Sequence, residues 1–148
     1  TIKTKTTMKN KYQSNYEKLL KVIPQLKEKI NNVTDEETLH DLHIKSQVSG
    51  FMDLVFEYRR RDGEGIHIIS LAHYYKQNGD LMSDPFVELR VDFQLKTVES
   101  LYFEMSYPPI AKHVYPEQSL VDYEEKVNQN QFLSQWLSNL IAQGHVIK

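Results

Sequence analysis

The residue types best suited to chemistry are concentrated between Ile66 and Pro85, in the segment I-H-I-I-S-L-A-H-Y-Y-K-Q-N-G-D-L-M-S-D-P. Imidazole, phenol and carboxylate groups can transfer protons or bind metals. The segment supplies them at His67, His73, Tyr74, Tyr75, Asp80 and Asp84. A small hydrolase built here would need a concave site around His73, Tyr75 and Asp80. We keep that hypothesis as an alternative.

A metal site is a weaker prediction from the same residues. His67 and His73 are six positions apart, so they point to the same side of a strand but are too far apart to share a metal by themselves. Asp53, Glu57 or Glu88 from neighbouring strands could complete a ligand set, but no spacing motif marks one. The chain also lacks cysteine, a G-x-S-x-G turn and phosphate-binding glycine motifs. We therefore predict no catalytic residues, no metal and no cofactor.

The elements that position these residues are predicted to be antiparallel strands. From Gly50 onward, apolar residues alternate with polar ones, which is the pattern of a strand with one buried face. Asn78-Gly79 favours a tight hairpin turn, and Asp84-Pro85 is expected to break the backbone before the next strand. Pro108-Pro109 should end the sheet, with a loop over 110–115. These signals predict a β-meander of four to five strands.

Helices are predicted at both ends of the chain. An apolar stripe over 16–30 indicates an amphipathic helix, with Ser14 or Asn15 as its cap and a break at Pro24. Thr34 to Glu37 resembles a capping box, and a short helix should then run to about residue 43. Two further helical segments, 117–127 and 132–141, precede Gly144. The fold class is therefore α+β, with residues 1–10 as a flexible basic tail and 11–148 as one domain.

The charges divide the chain into a basic arm and an acidic body. Residues 1–29 contain eight lysines and two glutamates, whereas the whole chain has a net charge of -2. The outward positions of the predicted strands carry carboxylates that would form one acidic face: Asp53, Glu57, Glu88, Asp92 and Glu104. Such a face could bind a basic surface by placing negative charge where phosphates would otherwise lie. The basic arm, with Lys9, Lys11, Lys18 and Lys21, is the alternative binding surface and could contact nucleic acid.

The composition restricts the cellular setting. The absence of cysteine suits a reducing compartment, and no apolar run approaches the roughly 20 residues of a membrane-spanning helix. The N-terminal residues also lack the apolar core of a signal peptide. We expect a soluble, cytoplasmic protein.

Three segments carry a resemblance to a known group of proteins. They are G-F-M-D-L-V-F-E (50–57), I-S-L-A-H-Y-Y-K-Q-N-G-D-L-M-S-D-P-F-V-E-L (69–89) and F-L-S-Q-W-L-S-N-L (132–140). Together they resemble an uncharacterised family of small phage and mobile-element proteins, with a match over about residues 49–143 and a central A-H-Y-Y-x-Q-N-G-D-L-M-x-D-P motif. No activity or catalytic residues are established for that family, so the resemblance assigns no functional positions to this chain.

What the resemblance does imply is a genomic setting in which small proteins often act on host defence. By analogy, the chain is similar in size, acidity and layout to anti-CRISPR proteins. The leading hypothesis is a non-enzymatic inhibitor that binds a host defence nuclease, such as a CRISPR effector, through a charged surface. The alternatives are a mobile-element accessory protein that binds nucleic acid through its lysine-rich N-terminal helix, and the small hydrolase.

Overall fold

A computed structural model describes residues 10–148, so residues 1–9 of the predicted basic tail lie outside the described residues. The helices are α1 (Lys11–Val22), α2 (Leu26–Asn31), α3 (Glu36–His40) and α4 (Tyr123–Gln143). The strands are β1 (His43–Ser46), β2 (Leu54–Arg61), β3 (His67–Gln77), β4 (Asp80–Asp92), β5 (Thr97–Met105) and β6 (Ile110–His113). Helices flank one antiparallel sheet, which confirms the predicted α+β class. No helix among the described residues is long and apolar enough to cross a membrane.

The six strands form a meander in chain order, and every neighbouring pair is antiparallel. The prediction of four to five strands was slightly low. Both missed strands, β1 and β6, have four residues and lie at the edges of the sheet. Strands this short carry little periodic signal, because their formation depends on the neighbour with which they pair.

The core lies between one face of the sheet and helices α1 and α4. Phe56 is opposite Leu71, Leu71 is opposite Val87, and Val87 is opposite Phe103 across four adjacent strands. These side chains pack with apolar residues of α1 and α4, including the fully buried Leu19. We call this side the covered face. Because side chains alternate along a strand, the intervening residues point to the other side, which we call the open face.

The N-terminal helix breaks where proline requires it. α1 ends at Val22 and α2 begins at Leu26, so Pro24 lies in the connection, as predicted. The predicted cap was wrong. Asn10 caps α1 in a reciprocal capping box with Gln13, and this places Asn15 inside the helix, where it is buried.

The next helix is also shorter than predicted. α3 ends at His40 and is capped by Asp35, whose carboxylate accepts a hydrogen bond from the Glu37 N–H at 3.1 Å. His43 therefore starts β1 instead of ending a helix. This strand pairs its residues 43–46 with 54–57 of β2 and extends the sheet beyond the predicted edge.

Asp84-Pro85 lies within β4 and does not break the strand, contrary to the prediction. Ala72 is opposite Phe86 and Tyr74 is opposite Ser83, so two residues of β4 face the single residue His73 of β3. This is a β-bulge, at which ladder pairing is interrupted. A proline without an N–H donor is tolerated at such a position, because no ladder hydrogen bond is required there.

The C-terminal helix is continuous, although two segments were predicted. α4 begins after Asp122, whose carboxylate accepts a hydrogen bond from the Glu125 N–H, and it continues for 21 residues to Gln143. Gly144 ends it in the left-handed conformation, with φ of 91°, as predicted. The residues that follow fold back onto the body, where Ile147 is fully buried.

Candidate functional site

The open face brings three of the five predicted acidic residues together. Across the sheet, Glu57 of β2 is opposite Ser70 of β3, which is opposite Glu88 of β4. Glu104 of β5 lies in the next row, opposite Phe86. The strand register therefore places Glu57, Glu88 and Glu104 on one surface.

Two arginines accompany these carboxylates, so the face is less acidic than the sequence suggests. Arg60 binds Glu88 through two nitrogens, each 3.0 Å from a different carboxylate oxygen. Arg59 lies 3.5 Å from Glu88 and 3.7 Å from Glu57. The register of β2 shifts between Tyr58 and Arg60, and both neighbouring arginines reach Glu88 across the sheet. Arg60 therefore forms a bidentate ion pair with the mostly buried carboxylate of Glu88.

Aromatic side chains join the charged groups into a continuous network. The Arg59 guanidinium lies 5.4 Å above the centre of the Phe86 ring, and Phe86 meets Tyr102 edge to face at 6.2 Å. The ring centres of Tyr102 and His113 are 4.4 Å apart, and the Tyr102 hydroxyl donates a hydrogen bond to Glu104 at 2.8 Å. Each side chain is therefore held by at least one neighbour.

The surroundings of two tyrosine hydroxyls on this face disfavour their ionised forms. Burial, with the nearby Glu57 next in importance, raises the pKa of Tyr74 to about 12. Burial and the hydrogen bond to Glu104 raise the pKa of Tyr102 to about 12. Both hydroxyls serve as hydrogen-bond donors to carboxylates at neutral pH, with the Tyr74 bond to Glu57 at 3.4 Å. The hydroxyls orient the carboxylates.

The remaining two predicted acidic residues lie apart from this network. Asp53 precedes β2 and is 3.9 Å from Lys45, and both side chains are nearly half exposed. Asp92 is only 8% exposed, and its carboxylate accepts hydrogen bonds from the backbone N–H groups of Gln94 and Leu95. Asp92 therefore stabilises the β4–β5 turn and does not offer a free carboxylate to a partner.

The described lysines of the basic arm are not equivalent. Lys11 and Lys21 of α1 are exposed, whereas Lys18 donates hydrogen bonds to the backbone oxygen and hydroxyl of Ser134 in α4, at 3.1 and 2.9 Å. Lys9 lies outside the described residues. Of the predicted arm, α1 thus presents two exposed ammonium groups to solvent, and its third lysine holds two helices together.

The residues proposed for catalysis do not converge. His73 is buried, and its Nδ1–H donates to the backbone oxygen of Asp53 at 2.8 Å, whereas Asp80 is exposed at the hairpin turn. The cavity beside His73 is lined by neither Tyr75 nor Asp80. His67 contacts the Tyr58 hydroxyl at 2.9 Å, and burial is the main cause of its lowered pKa. Within residues 10–148, no three histidine or acidic side chains are grouped in a way that could hold a metal.

A groove that sequence reasoning missed lies on the covered side of the sheet, next to the β3–β4 bulge. Its volume is about 540 Å³, and it is lined by residues from the 50–52 loop, β3, β4, β5 and α4. The signal for it was present in part, since Phe132 and Trp136 are one helical turn apart. The apolar pattern of the predicted helix 132–141 indicates that both face the core, but Phe132 is 37% exposed at the groove.

Comparisons with known proteins give a family but no function. No curated protein and no solved structure matches the chain. Residues 15–146 match the model of a family described as "Domain of unknown function (DUF6908)". Because this match covers the whole sheet, α2, α3, α4 and most of α1, the chain belongs to the DUF6908 family.

Proposed function

We propose that the protein is a non-enzymatic binding protein that docks on a basic surface of a nucleic-acid enzyme through the open face of its sheet. In its specific form, the partner is a host defence nuclease such as a CRISPR effector, and binding inhibits it. The observation that carries the proposal is the network of Glu57, Glu88 and Glu104 with Arg59 and Arg60, which is ordered before any partner arrives.

The residue types on this face suit protein recognition. Tyrosine and arginine are enriched among the residues that dominate binding energy at protein interfaces. Here Tyr74, Tyr102, Arg59 and Arg60 lie on one side of a rigid sheet, and internal contacts hold each of them. Ordering a long side chain on binding costs roughly 0.5–1.5 kcal/mol. An interface that is already ordered avoids much of that cost.

The charge distribution favours a basic partner at one end of the face. Within the described residues, Glu104 is hydrogen bonded by the hydroxyls of Tyr102 and Ser83 but forms no ion pair. Arg59 lies 3.7 Å from Glu57, and because this ion pair is long, Glu57 keeps residual negative charge. A protein surface that binds nucleic acid is rich in lysine and arginine, and carboxylates held in fixed positions can occupy the sites of phosphates.

The first experiment separates partner binding from catalysis. The tagged protein is used to recover partners from bacterial cells that express CRISPR nucleases, and recovered nucleases are then assayed for cleavage with and without purified protein. We expect a nuclease to be recovered and its cleavage to fall in proportion to the protein bound. Recovery of no nucleic-acid enzyme would contradict the proposed partner class.

Charge variants then locate the surface. Glu57→Gln with Glu104→Gln removes two charges while it retains shape and hydrogen-bonding groups, so we expect at least about tenfold weaker binding and a smaller dependence on salt. Glu28→Gln with Glu37→Gln is the matched control, because both residues are exposed and lie in the short helices α2 and α3, outside the sheet. Equal affinities for the two double variants would exclude the open face. Asp92 is left unchanged because it stabilises a turn.

A second candidate is nucleic-acid binding by the N-terminal helix. The exposed positions of Lys11 and Lys21 on α1 favour it. If it holds, Lys11→Gln with Lys21→Gln should reduce the slope of log affinity against log salt by about 0.7–0.9 for each phosphate that a lysine no longer neutralises. A gel-shift titration at several salt concentrations measures this slope. An unchanged slope would remove these lysines from any nucleic-acid interface.

A further inference from the structure

The groove beside the β3–β4 bulge has the size of a ligand site and is open to solvent. Its volume of about 540 Å³ falls within the roughly 300–1,000 Å³ typical of small-molecule pockets. The bulge supplies one wall through Asp84 and Pro85, and α4 supplies the opposite wall through Phe132 and Trp136. The groove lies on the covered side of the sheet, and its function is independent of the docking proposed for the open face.

Aromatic rings dominate the lining, and they hold one another in place. Phe103 and Phe132 meet edge to face with their centres 5.2 Å apart, and Phe132 stacks on Trp136 at 5.9 Å. Trp136 is also braced edge to face by His73 at 5.5 Å. Phe51, which is 50% exposed, lies at the rim. The surfaces that a ligand would meet are therefore the rigid, electron-rich rings of several aromatic side chains.

The charge of the lining has one sign. Asp84 contributes an exposed carboxylate, and none of the twelve residues that line the groove is lysine or arginine. The Nδ1–H of His73 is already directed to the Asp53 backbone oxygen. An anionic ligand would meet a like charge at Asp84, whereas a cation would meet an opposite charge and the negative faces of aromatic rings.

We propose that this groove binds a small organic cation, with its charged group near Asp84 and an apolar body against Phe51, Phe132 and Trp136. Substituted ammonium ions are weakly hydrated, so they lose little when they leave water and gain cation–π attraction from the rings. The apolar walls favour a ligand that also buries hydrocarbon, because most of the contact area in such pockets is apolar.

The experiment uses the protein's own reporter, since Trp136 is its only tryptophan. The full chain is titrated with benzyltrimethylammonium, and Trp136 fluorescence is followed to saturation. Tetramethylammonium tests the contribution of the apolar body. Choline and its uncharged isostere 3,3-dimethylbutan-1-ol test the charge. A short arginine-containing peptide tests whether the cation comes from a protein side chain instead of a small molecule.

We expect saturable binding of benzyltrimethylammonium, weaker binding of tetramethylammonium, and choline bound several-fold more tightly than the alcohol. Asp84→Asn should weaken binding by about two- to fivefold, because it removes an exposed charge of modest strength. Asp80→Asn is the matched control, since Asp80 is exposed on the same hairpin and does not line the groove. Phe51→Ala should also weaken binding without changing the buried core.

Several outcomes would overturn the proposal. Absence of saturable binding at millimolar concentrations would refute it, as would equal binding of choline and its neutral isostere. Asp84→Asn with wild-type affinity would remove the charge argument. Tighter binding of the arginine peptide than of benzyltrimethylammonium would show that the groove takes a protein side chain, which contradicts the small-molecule assignment.

Discussion

Replacement of Asn130 by alanine should destabilise the protein more than any neighbouring exposed substitution in α4. Asn130 is 1% exposed, and its Oδ1 accepts a hydrogen bond from the Ser100 backbone N–H of β5 at 2.9 Å. Its Nδ2 donates to the Lys126 backbone oxygen at 2.7 Å, and its own backbone oxygen accepts from Asn15 of α1 at 3.2 Å. One residue thus joins both covering helices to the sheet.

The size of the effect follows from the groups left behind. Asn130→Ala leaves the buried Ser100 N–H without its side-chain acceptor, and an unsatisfied buried polar group costs about 1–3 kcal/mol. A small cavity adds to the loss, while the higher helix propensity of alanine returns roughly 0.5 kcal/mol. We expect a net loss of about 2–3 kcal/mol in the free energy of unfolding. This is a large fraction of the stability of a typical domain.

Urea unfolding followed by circular dichroism and Trp136 fluorescence measures the change. Gln131→Ala is the matched control, because Gln131 is exposed in the same helical turn and should change stability by less than about 0.5 kcal/mol. Hydrogen exchange adds a local test, since the Ser100 amide should exchange faster in Asn130→Ala. If the two variants are equally stable and the Ser100 amide stays protected, the bridging role of Asn130 is wrong.

Three further predictions concern the buried charges and the C-terminal segment. Burial, followed by the charge of a neighbouring histidine, lowers the pKa of His145. Because the unfolded chain then binds the proton more readily, stability should fall as pH drops below about 6.5. In pH-dependent denaturation, His145→Asn should flatten this fall, whereas the exposed control His43→Asn should not. Ile147→Ala should lower the unfolding free energy by about 2–4 kcal/mol, because the side chain is fully buried, and a thermal midpoint like that of wild type would contradict this. Arg60→Met should cost about 1 kcal/mol, because the arginine is half exposed and its partner is mostly buried, and a double-mutant cycle with Glu88→Gln should recover part of that loss.

The sheet was predictable because its signals are local. The alternation of apolar residues through β2 and β4 identifies the strands, and Asn78-Gly79 identifies the hairpin between β3 and β4. Both residues of that turn have positive φ, of 54° and 84°, which this residue pair adopts at little cost. Information contained within a few neighbouring residues was therefore sufficient for most of the architecture.

The bulges were not predictable in the same way, because they depend on which strands pair and in which register. The register shifts because an extra residue lies in β2 between Tyr58 and Arg60, in β4 between Ser83 and Phe86, and in β5 between Ser100 and Tyr102. The period of two is interrupted at each shift. Assignment of side chains to a face by counting alternate residues consequently fails beyond these points. The interpretation of Asp84-Pro85 as a strand break was wrong for this reason.

The continuity of α4 shows a second limit of pattern analysis. Gln129 and Asn130 interrupt the apolar stripe of the helix, so the sequence suggested two segments. Both are nevertheless buried, and their side-chain oxygens accept hydrogen bonds from Ser100 at the bulge of β5. A polar residue in a buried position cannot be distinguished from a surface residue until its partner is known. Asn130 connects α4 to β5 and α1 from a buried position, and the helical spacing of apolar residues gives no sign of this role.

The candidate site illustrates how these limits affect function. When the outward-facing strand positions are identified from the sequence alone, they include five carboxylates, and the simplest inference is a strongly acidic surface. The β2 bulge brings Arg59 and Arg60 beside Glu88, and the pairing leaves residual negative charge chiefly at Glu57 and Glu104. A partner that binds here would meet a nearly neutral, ordered surface with a negative edge. Its affinity should therefore depend more on the tyrosine and arginine contacts than on long-range attraction, and moderate salt should slow association without abolishing the complex.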